Sequence, residues 1–176
     1  MARKTLYEGK YLRLLSENTW EFVKRRNCTG IVIVAAMTRG RKLIFVEQFR
    51  QPVNANVIEW PAGLANDIAV ESEETLESGA LRELFEETGY EASKIRHLVT
   101  GPVNAGLSMD YVSFFLATGL KKKGPGGGDE TESITVHEVP LDRAEKWIRA
   151  KQKKGSRVDP KVFVGIYFIE KLLQKR

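Results

Sequence analysis

The stretch "GALRELFEETGYE", residues 79–91, places Glu83, Glu86 and Glu87 in one short segment beside Arg82 and just before Gly89. Residues three and four apart are neighbours on a helix, so the three carboxylates share one face. Leu81, Leu84 and Phe85 point the other way, toward a core. The spacing predicts an amphipathic helix with an exposed, all-acid stripe. Like charges at such spacings repel by roughly 0.2–0.5 kcal/mol per pair, and no lysine is interleaved to relieve them. Oxygen-only ligands converging on one point suit Mg2+ or Mn2+, which take one or two carboxylates and keep waters for a phosphate-bearing substrate. Gly89 ends the helix by supplying a left-handed residue.

Composition bounds the rest. The chain has 176 residues, 42% of them hydrophobic, enough to bury one good core, so residues 1–176 are expected to form a single domain. Its one cysteine, Cys28, excludes an intrachain disulfide and reads as a small buried hydrophobe. The start, "MARKTLYEGKYLRLL", is too charged for a secretory signal, and no apolar run is long enough to span a bilayer, so a soluble cytoplasmic protein is expected. The formal charge of +5 gathers partly in "LKKKGPGG" and "IRAKQKKGSR". These read as solvated faces rather than a nucleic-acid site, because aromatic residues do not alternate with the lysines except at Trp147. His97 and His137 sit in strand-like patterns with no second ligand nearby, which speaks against a metal role for either.

Working outward from the helix, "TLYEGKYLRLL" and "TWEFVKRR" alternate polar and apolar residues and read as two strands of a small antiparallel sheet within residues 1–28. "GIVIVAAMTRGRKLIFVEQFR" reads as strand, glycine turn and strand, and "VIEWPAG" as a short strand ended by proline. "IRHLVTGPV" and "DYVSFFLATGL" are strand-like, and the low-complexity segment "GPGGGDETE" predicts a mobile loop. One helix is expected over "LDRAEKWIRAKQKK", and a second after Asp159 and Pro160, over "KVFVGIYFIEKLL". The sum is an α/β protein, a mixed sheet with helices on both sides.

Arg82-Glu83-Leu84-Phe85-Glu86-Glu87-Thr88-Gly89-Tyr90, with Glu74 eight residues before Arg82, resembles the second half of the Nudix box. Ten residues intervene between the opening glycine, Gly63, and Glu74, which makes that loop five residues longer than the family's pattern. "VEQFRQPVNANVIEWPAGL" is similar to the branch that hydrolyses ADP-ribose and nucleoside diphosphate sugars. The resemblance implies an α/β/α sandwich with a small N-terminal antiparallel sheet used in a homodimer. It also implies Mg2+-dependent cleavage of a nucleoside diphosphate sugar to a nucleoside monophosphate and a sugar phosphate.

Residue by residue, the resemblance implies Glu83, Glu86, Glu87 and the Ala62 carbonyl as metal ligands, with Arg82 orienting a carboxylate such as Glu86. It implies Arg50 at the diphosphate or ribose, Glu59 at a sugar hydroxyl, Trp20 stacked on the base, and Leu107 and Ser108 of "AGLSMDYV" at the substrate. Ala105 stands where the branch usually has proline, so the expected substrates extend to GDP-linked hexoses. In "GGGDETESITV" the match puts the general base at Glu130 and a further metal or water contact at Glu132, with Glu86 the next candidate for the base. Read without the resemblance, Trp20 is equally a core residue, Glu59 an edge charge and "DETE" an acidic linker. Two other functions fit the box less well: a non-catalytic nucleotide-sugar-binding regulatory module, which would carry a degraded box, and an RNA-end pyrophosphohydrolase, which draws only on the basic charge.

Overall fold

In a computed structural model, residues 2–66, 74–128 and 133–174 are described. Three strands, β1 (Lys4–Glu8), β2 (Leu12–Glu17) and β3 (Trp20–Arg25), form an antiparallel sheet of their own. Two strands were expected here. Gly9 instead turns the chain inside "TLYEGKYLRLL", with its N–H donating to the Leu12 carbonyl at 2.8 Å. Next come β4 (Gly30–Met37), β5 (Lys42–Arg50), β6 (Ala55–Glu59) and β7 (Ala62–Ala65), then helix α1 (Leu76–Thr88). The chain continues through β8 (Tyr90–Glu91), β9 (Lys94–Pro102), β10 (Tyr111–Thr118), β11 (Lys121–Lys122) and β12 (Thr135–Pro140). It closes with α2 (Ala144–Lys153), β13 (Arg157–Val158) and α3 (Lys161–Gln174). The expected helix over 141–154 begins one turn late, because residues 141–143 form a separate 3-10 turn.

The central sheet is mixed. It runs β13-β6-β5-β4-β10-β9, with β12 added to β5 and β7 to β4. β10 is parallel to β4 and β13 to β6, while the other pairs are antiparallel. Strand alternation sends Ile33, Leu43 and Phe45 to one face, where they pack with Ile148 of α2 and with Val162 and Ile169 of α3. It sends Val32, Val34 and Ile44 to the other face, against Ala80 and Leu84 of α1. The three layers are those of an α/β/α sandwich. Trp60 ties two of them together: its ring lies 4.5 Å from Phe45 and its indole N–H donates to the Val162 carbonyl at 3.1 Å. A buried indole contributes area and needs that acceptor.

Two details set up the site. Thr75 caps α1, its hydroxyl oxygen accepting from the Ser78 N–H at 3.1 Å. At the other end Gly89 takes φ +69°, as its place after "EET" predicts. The glycines that follow "KKK" were expected to be mobile. Residues 124–128 are instead docked on the end of α1, with Gly127 N–H donating to the Glu87 carbonyl at 2.8 Å and Gly128 N–H to the Glu86 carbonyl at 3.1 Å. The last carbonyls of a helix have no partner within it, and backbone without side chains approaches closely enough to supply one. Asp129, Glu130, Thr131 and Glu132 lie outside the described residues.

Candidate active site

The acid stripe of α1 is not an exposed surface. Glu87 is 2% exposed and Glu83 9%, both turned toward the sheet, and Glu86 alone of the three is well exposed. Phe85, expected in the core, is 41% exposed and lies against Gly124 instead. The helix is thus rotated so that Ala80, Leu84 and two glutamates meet the sheet. β7 makes this possible. Its Ala62 N–H donates to Glu87 Oε2 at 3.0 Å, and the Glu83 carboxylate rests directly on Gly63, where any Cβ would collide with it. The glycine of "WPAG" is therefore a requirement of close approach.

Arg82 organises the remaining charges. Its Nε donates to Glu74 Oε1 at 2.9 Å, one terminal nitrogen reaches the Leu64 carbonyl at 2.9 Å, and the other lies 2.9 Å from both Glu83 Oε1 and Glu86 Oε2. The guanidinium is held firmly protonated, first by its hydrogen bond to Glu74 and then by Glu83 and Glu86. The same hydrogen bond from Arg82 holds the Glu74 carboxyl below its ordinary range. Glu74 also accepts from the Asn66 N–H at 2.9 Å, while its own N–H donates to Asn66 Oδ1 at 2.8 Å. Asn66 and Glu74 thus close the two ends of the long loop, residues 67–73, which itself lies outside the described residues. This clamp escaped the sequence reading. Its only signal was an asparagine, a residue type suited to φ +57°, placed just where the strand ends.

As they stand, no three acidic, histidine or cysteine side chains among the described residues converge tightly enough to hold an ion. Arg82 is the cation between Glu83 and Glu86. The donor set fits a hard divalent cation: every candidate atom is a carboxylate or carbonyl oxygen, Glu83 and Glu87 are packed on β7, and Gly63 leaves the room Glu83 needs.

Arg50 and Glu59 meet, Nε to Oε2 at 2.7 Å, across the β5–β6 pair. Alternation puts them on the sheet face that carries α1, together with buried Gln48. Trp20 is not a core residue. It is 58% exposed and lines a cavity of about 320 Å3 with Arg3, Phe22, Ala105 and Ser108. Ser108 pairs with Val23 of β3, and the Leu107 carbonyl accepts from the Val23 N–H at 2.8 Å, so the 104–110 loop is anchored to the N-terminal sheet. Leu107 itself is 52% exposed and outside that cavity's lining. Cys28 is half-buried rather than buried. His137 bonds Glu47 at 2.8 Å and His97 bonds Thr100 at 2.8 Å.

Comparison with known proteins accounts for this arrangement. The NUDIX domain family model matches residues 24–158. The chain is 33% identical over 162 residues to an ADP-ribose pyrophosphatase of Bacillus subtilis, covering 86% of this chain and 83% of that protein. It is 33% identical over 142 residues to a methanol dehydrogenase activator of Bacillus methanolicus, covering 80% and 72%. A GDP-mannose pyrophosphatase of Escherichia coli is 31% identical over 128 residues, covering 68% and 64%. In fold, the crystal structure of an ADP compounds hydrolase superposes with a TM-score of 0.74 at 16% identity, over 99% of this chain and 93% of that one. With the family's box carried on α1 and its carboxylates seated on β7, the chain belongs to the Nudix family.

Proposed function

We propose that the protein is a Nudix pyrophosphatase that hydrolyses the diphosphate bond of nucleoside diphosphate sugars, ADP-ribose and GDP-linked hexoses among them, to a nucleoside monophosphate and a sugar phosphate. The observation that carries this reading is the undegraded box: Glu83, Glu86 and Glu87 are all present on α1, the first two tied through Arg82 to Glu74 and Glu87 bonded by the Ala62 N–H. A non-catalytic binding module has no use for two buried carboxylates, one seated on a glycine and the other bonded by the neighbouring N–H. Similarity to an ADP-ribose pyrophosphatase and a GDP-mannose pyrophosphatase supports the substrate class.

Mg2+ or Mn2+, held by Glu83, Glu86, Glu87 and the Ala62 carbonyl, would neutralise the diphosphate oxygens and lower the pKa of the attacking water. The chain's own residues do the rest. Arg82 and Glu74 fix the direction of the α1 carboxylates, a positioning role. Arg50 reaches the diphosphate or ribose and Glu59 a sugar hydroxyl, their mutual ion pair keeping both side chains extended over the α1 face of the sheet. Trp20 offers a ring for the base, with Ser108 lining the same cavity, and Leu107, next in the chain to Ser108, meets the substrate from outside that lining. Glu130 takes the proton of the attacking water, and Glu132 contacts metal or water. Support for the base comes from Gly128, two residues earlier in the chain, which is bonded to the Glu86 carbonyl at the end of the box helix.

Incubating the full chain with Mg2+ and ADP-ribose, GDP-mannose, a dinucleoside polyphosphate or 5'-triphosphorylated RNA tests the reading. Release of nucleoside monophosphate from the first two supports it, and phosphate release from RNA alone overturns it. Glu130→Gln is expected to lower kcat with little change in KM, and Glu132→Gln to shift the Mg2+ dependence. Equal, mild effects from both would move the base to Glu86.

The N-terminal sheet joins two copies. Tyr7 and Tyr11 are each 68% exposed and Leu6 50%, apolar surface that a second copy would cover. A monomer by sedimentation at micromolar concentration would sink the dimer. The single cysteine suits a reducing compartment, and the cytoplasm is the proposed place of action.

A further inference from the structure

A second charged cleft lies at the far end of the central sheet from the box. Ala62 pairs with Ile33 midway along β4, and Thr38 follows Met37 at the end of that strand. At about 3.3 Å per residue Ile33 and Thr38 are roughly 16 Å apart. There the β4–β5 turn, the start of β9, the end of β10 and the last turn of α3 enclose about 440 Å3. Arg39, Arg41 and Lys94 line this cavity, and no carboxylate among the described residues does. Met37, Leu172 and Leu173 form its apolar wall. Lys42, beside it, is paired with Glu138 at 3.1 Å, yet none of the three lining cations has an ion pair among the described residues. One sign of charge against a low-dielectric wall focuses its field into the cleft and attracts a counter-ion.

The backbone adds a second observation. Arg41 N–H donates to the Thr38 carbonyl at 3.1 Å and Thr38 N–H to the Lys42 carbonyl at 2.9 Å, the pattern of a turn followed by a left-handed residue. Glycine is favoured at that position, and Arg41 occupies it at φ +57°. Among the described residues the other non-glycine positions with positive φ are Asn18, Asn27, Asn54 and Asn66, all of the type that tolerates it. Gly40 stands one residue too early to relieve the strain. An arginine kept at a glycine position, with its guanidinium on a cleft shared by two more cations, is strain held for a purpose.

We propose that this cleft binds a small phosphorylated ligand. Its phosphate lies between Arg39, Arg41 and Lys94, met by the planar donors of the arginines, and its apolar or ring portion rests on Met37, Leu172 and Leu173. The hydroxyls of Thr38 and Ser93 stand at the same cavity and add donors. The site is separate from the box and needs no metal.

Inorganic pyrophosphate titrated into the 15N-labelled full chain in EDTA tests this. The amides of Thr38, Arg39, Arg41, Ser93 and Gly119 are expected to shift saturably. Arg39→Ala with Lys94→Ala is expected to weaken binding by at least about tenfold, from the charged hydrogen bonds lost. Arg41→Gly keeps the proposal testable without endangering the fold: it is expected to raise Tm, because glycine suits the turn, while weakening binding about tenfold. Basal turnover of ADP-ribose by Arg41→Gly should be unchanged. Shifts that do not saturate, that appear only on α1, or that persist undiminished in Arg41→Gly would overturn the proposal. So would a single-stranded RNA that binds far more tightly than pyrophosphate and also shifts Lys121, Lys122 and Lys123, which would mark an extended nucleic-acid surface.

Discussion

Helix α1 and the β1–β3 sheet both carry charged and apolar residues at regular spacing, yet the fold treats them in opposite ways. On α1 the charges are drawn inward, because Ala62 N–H and the Arg82 guanidinium wait for them. On the N-terminal sheet the rings are left outside: Tyr7, Tyr11 and Trp20 are each more than half exposed. Burying a carboxylate is tolerable only with partners already in place, and such a site is rigid by construction. An exposed aromatic surface orders nothing by itself and is completed by a ligand or a second copy. The reaction centre and the recognition surface are thereby kept on elements of very different firmness.

The sharpest way to break that contrast is Glu87→Gln. The substitution keeps the shape of a buried side chain and removes its charge, so kcat should fall on the order of 10^3-fold, as when a transition-state contact is lost, while the thermal midpoint stays near that of the parent. Near-normal turnover at saturating Mg2+ would show that the rigid centre is not the catalytic one. Arg82→Lys comes next. A lysine cannot serve Glu74, Glu83, Glu86 and the Leu64 carbonyl at once, and a drop of about 10–100-fold in kcat/KM is expected, with weaker metal dependence, which Mg2+ titration reads directly. Trp20→Ala probes the soft region: KM should rise about tenfold for loss of one stacked base, with kcat and the melting temperature unchanged. If the midpoint instead drops steeply, Trp20 supports the sheet rather than the ligand.

The smallest effect on activity is expected at Glu47, on the opposite face of the sheet. Burial would raise its carboxyl, but hydrogen bonds from Lys151, Ser156 and His137 outweigh burial and bring it to about 2. A carboxyl depressed in the folded protein adds stability above its ordinary range, and that stability is lost as pH falls toward about 2. Glu47→Gln should therefore cost about 1–2 kcal/mol at neutral pH, with turnover unaffected. Thermal melts should show the gap between the two proteins closing through the acid window below the ordinary carboxylate range. A gap that stays constant would place the loss in packing.

What the sequence made legible follows the reach of each signal. The period of α1, its Gly89 stop and the apolar runs of β4, β5 and β10 are local, and the structure has them where the pattern put them. The start of α3 was equally local: Asp159 Oδ1 accepts from the Lys161 N–H at 2.8 Å. Which way α1 turns was not local. It depends on β7, four residues whose only mark in the sequence is a glycine, and so Phe85 and the acid stripe were assigned to the wrong sides. The glycines of 124–128 mislead for a similar reason. Absence of side chains reads as freedom, but here it is what lets the backbone close on the carbonyls of Glu86 and Glu87. Polar partners such as Asn66 with Glu74, across a loop, or Arg50 with Glu59, across two strands, become visible only once the fold has brought them together.

The Asn66–Glu74 clamp has a practical side. Because the two residues grip each other by three hydrogen bonds, at 2.9, 2.8 and 2.9 Å, the register of α1 is fixed from the stem and not from the chain that runs between them. Added length in a loop closed at its base costs little, growing only with the logarithm of its size. Residues 67–73 therefore mark a port into which a peptide tag or a small reporter could be spliced beside a catalytic helix, with the carboxylates downstream keeping their places.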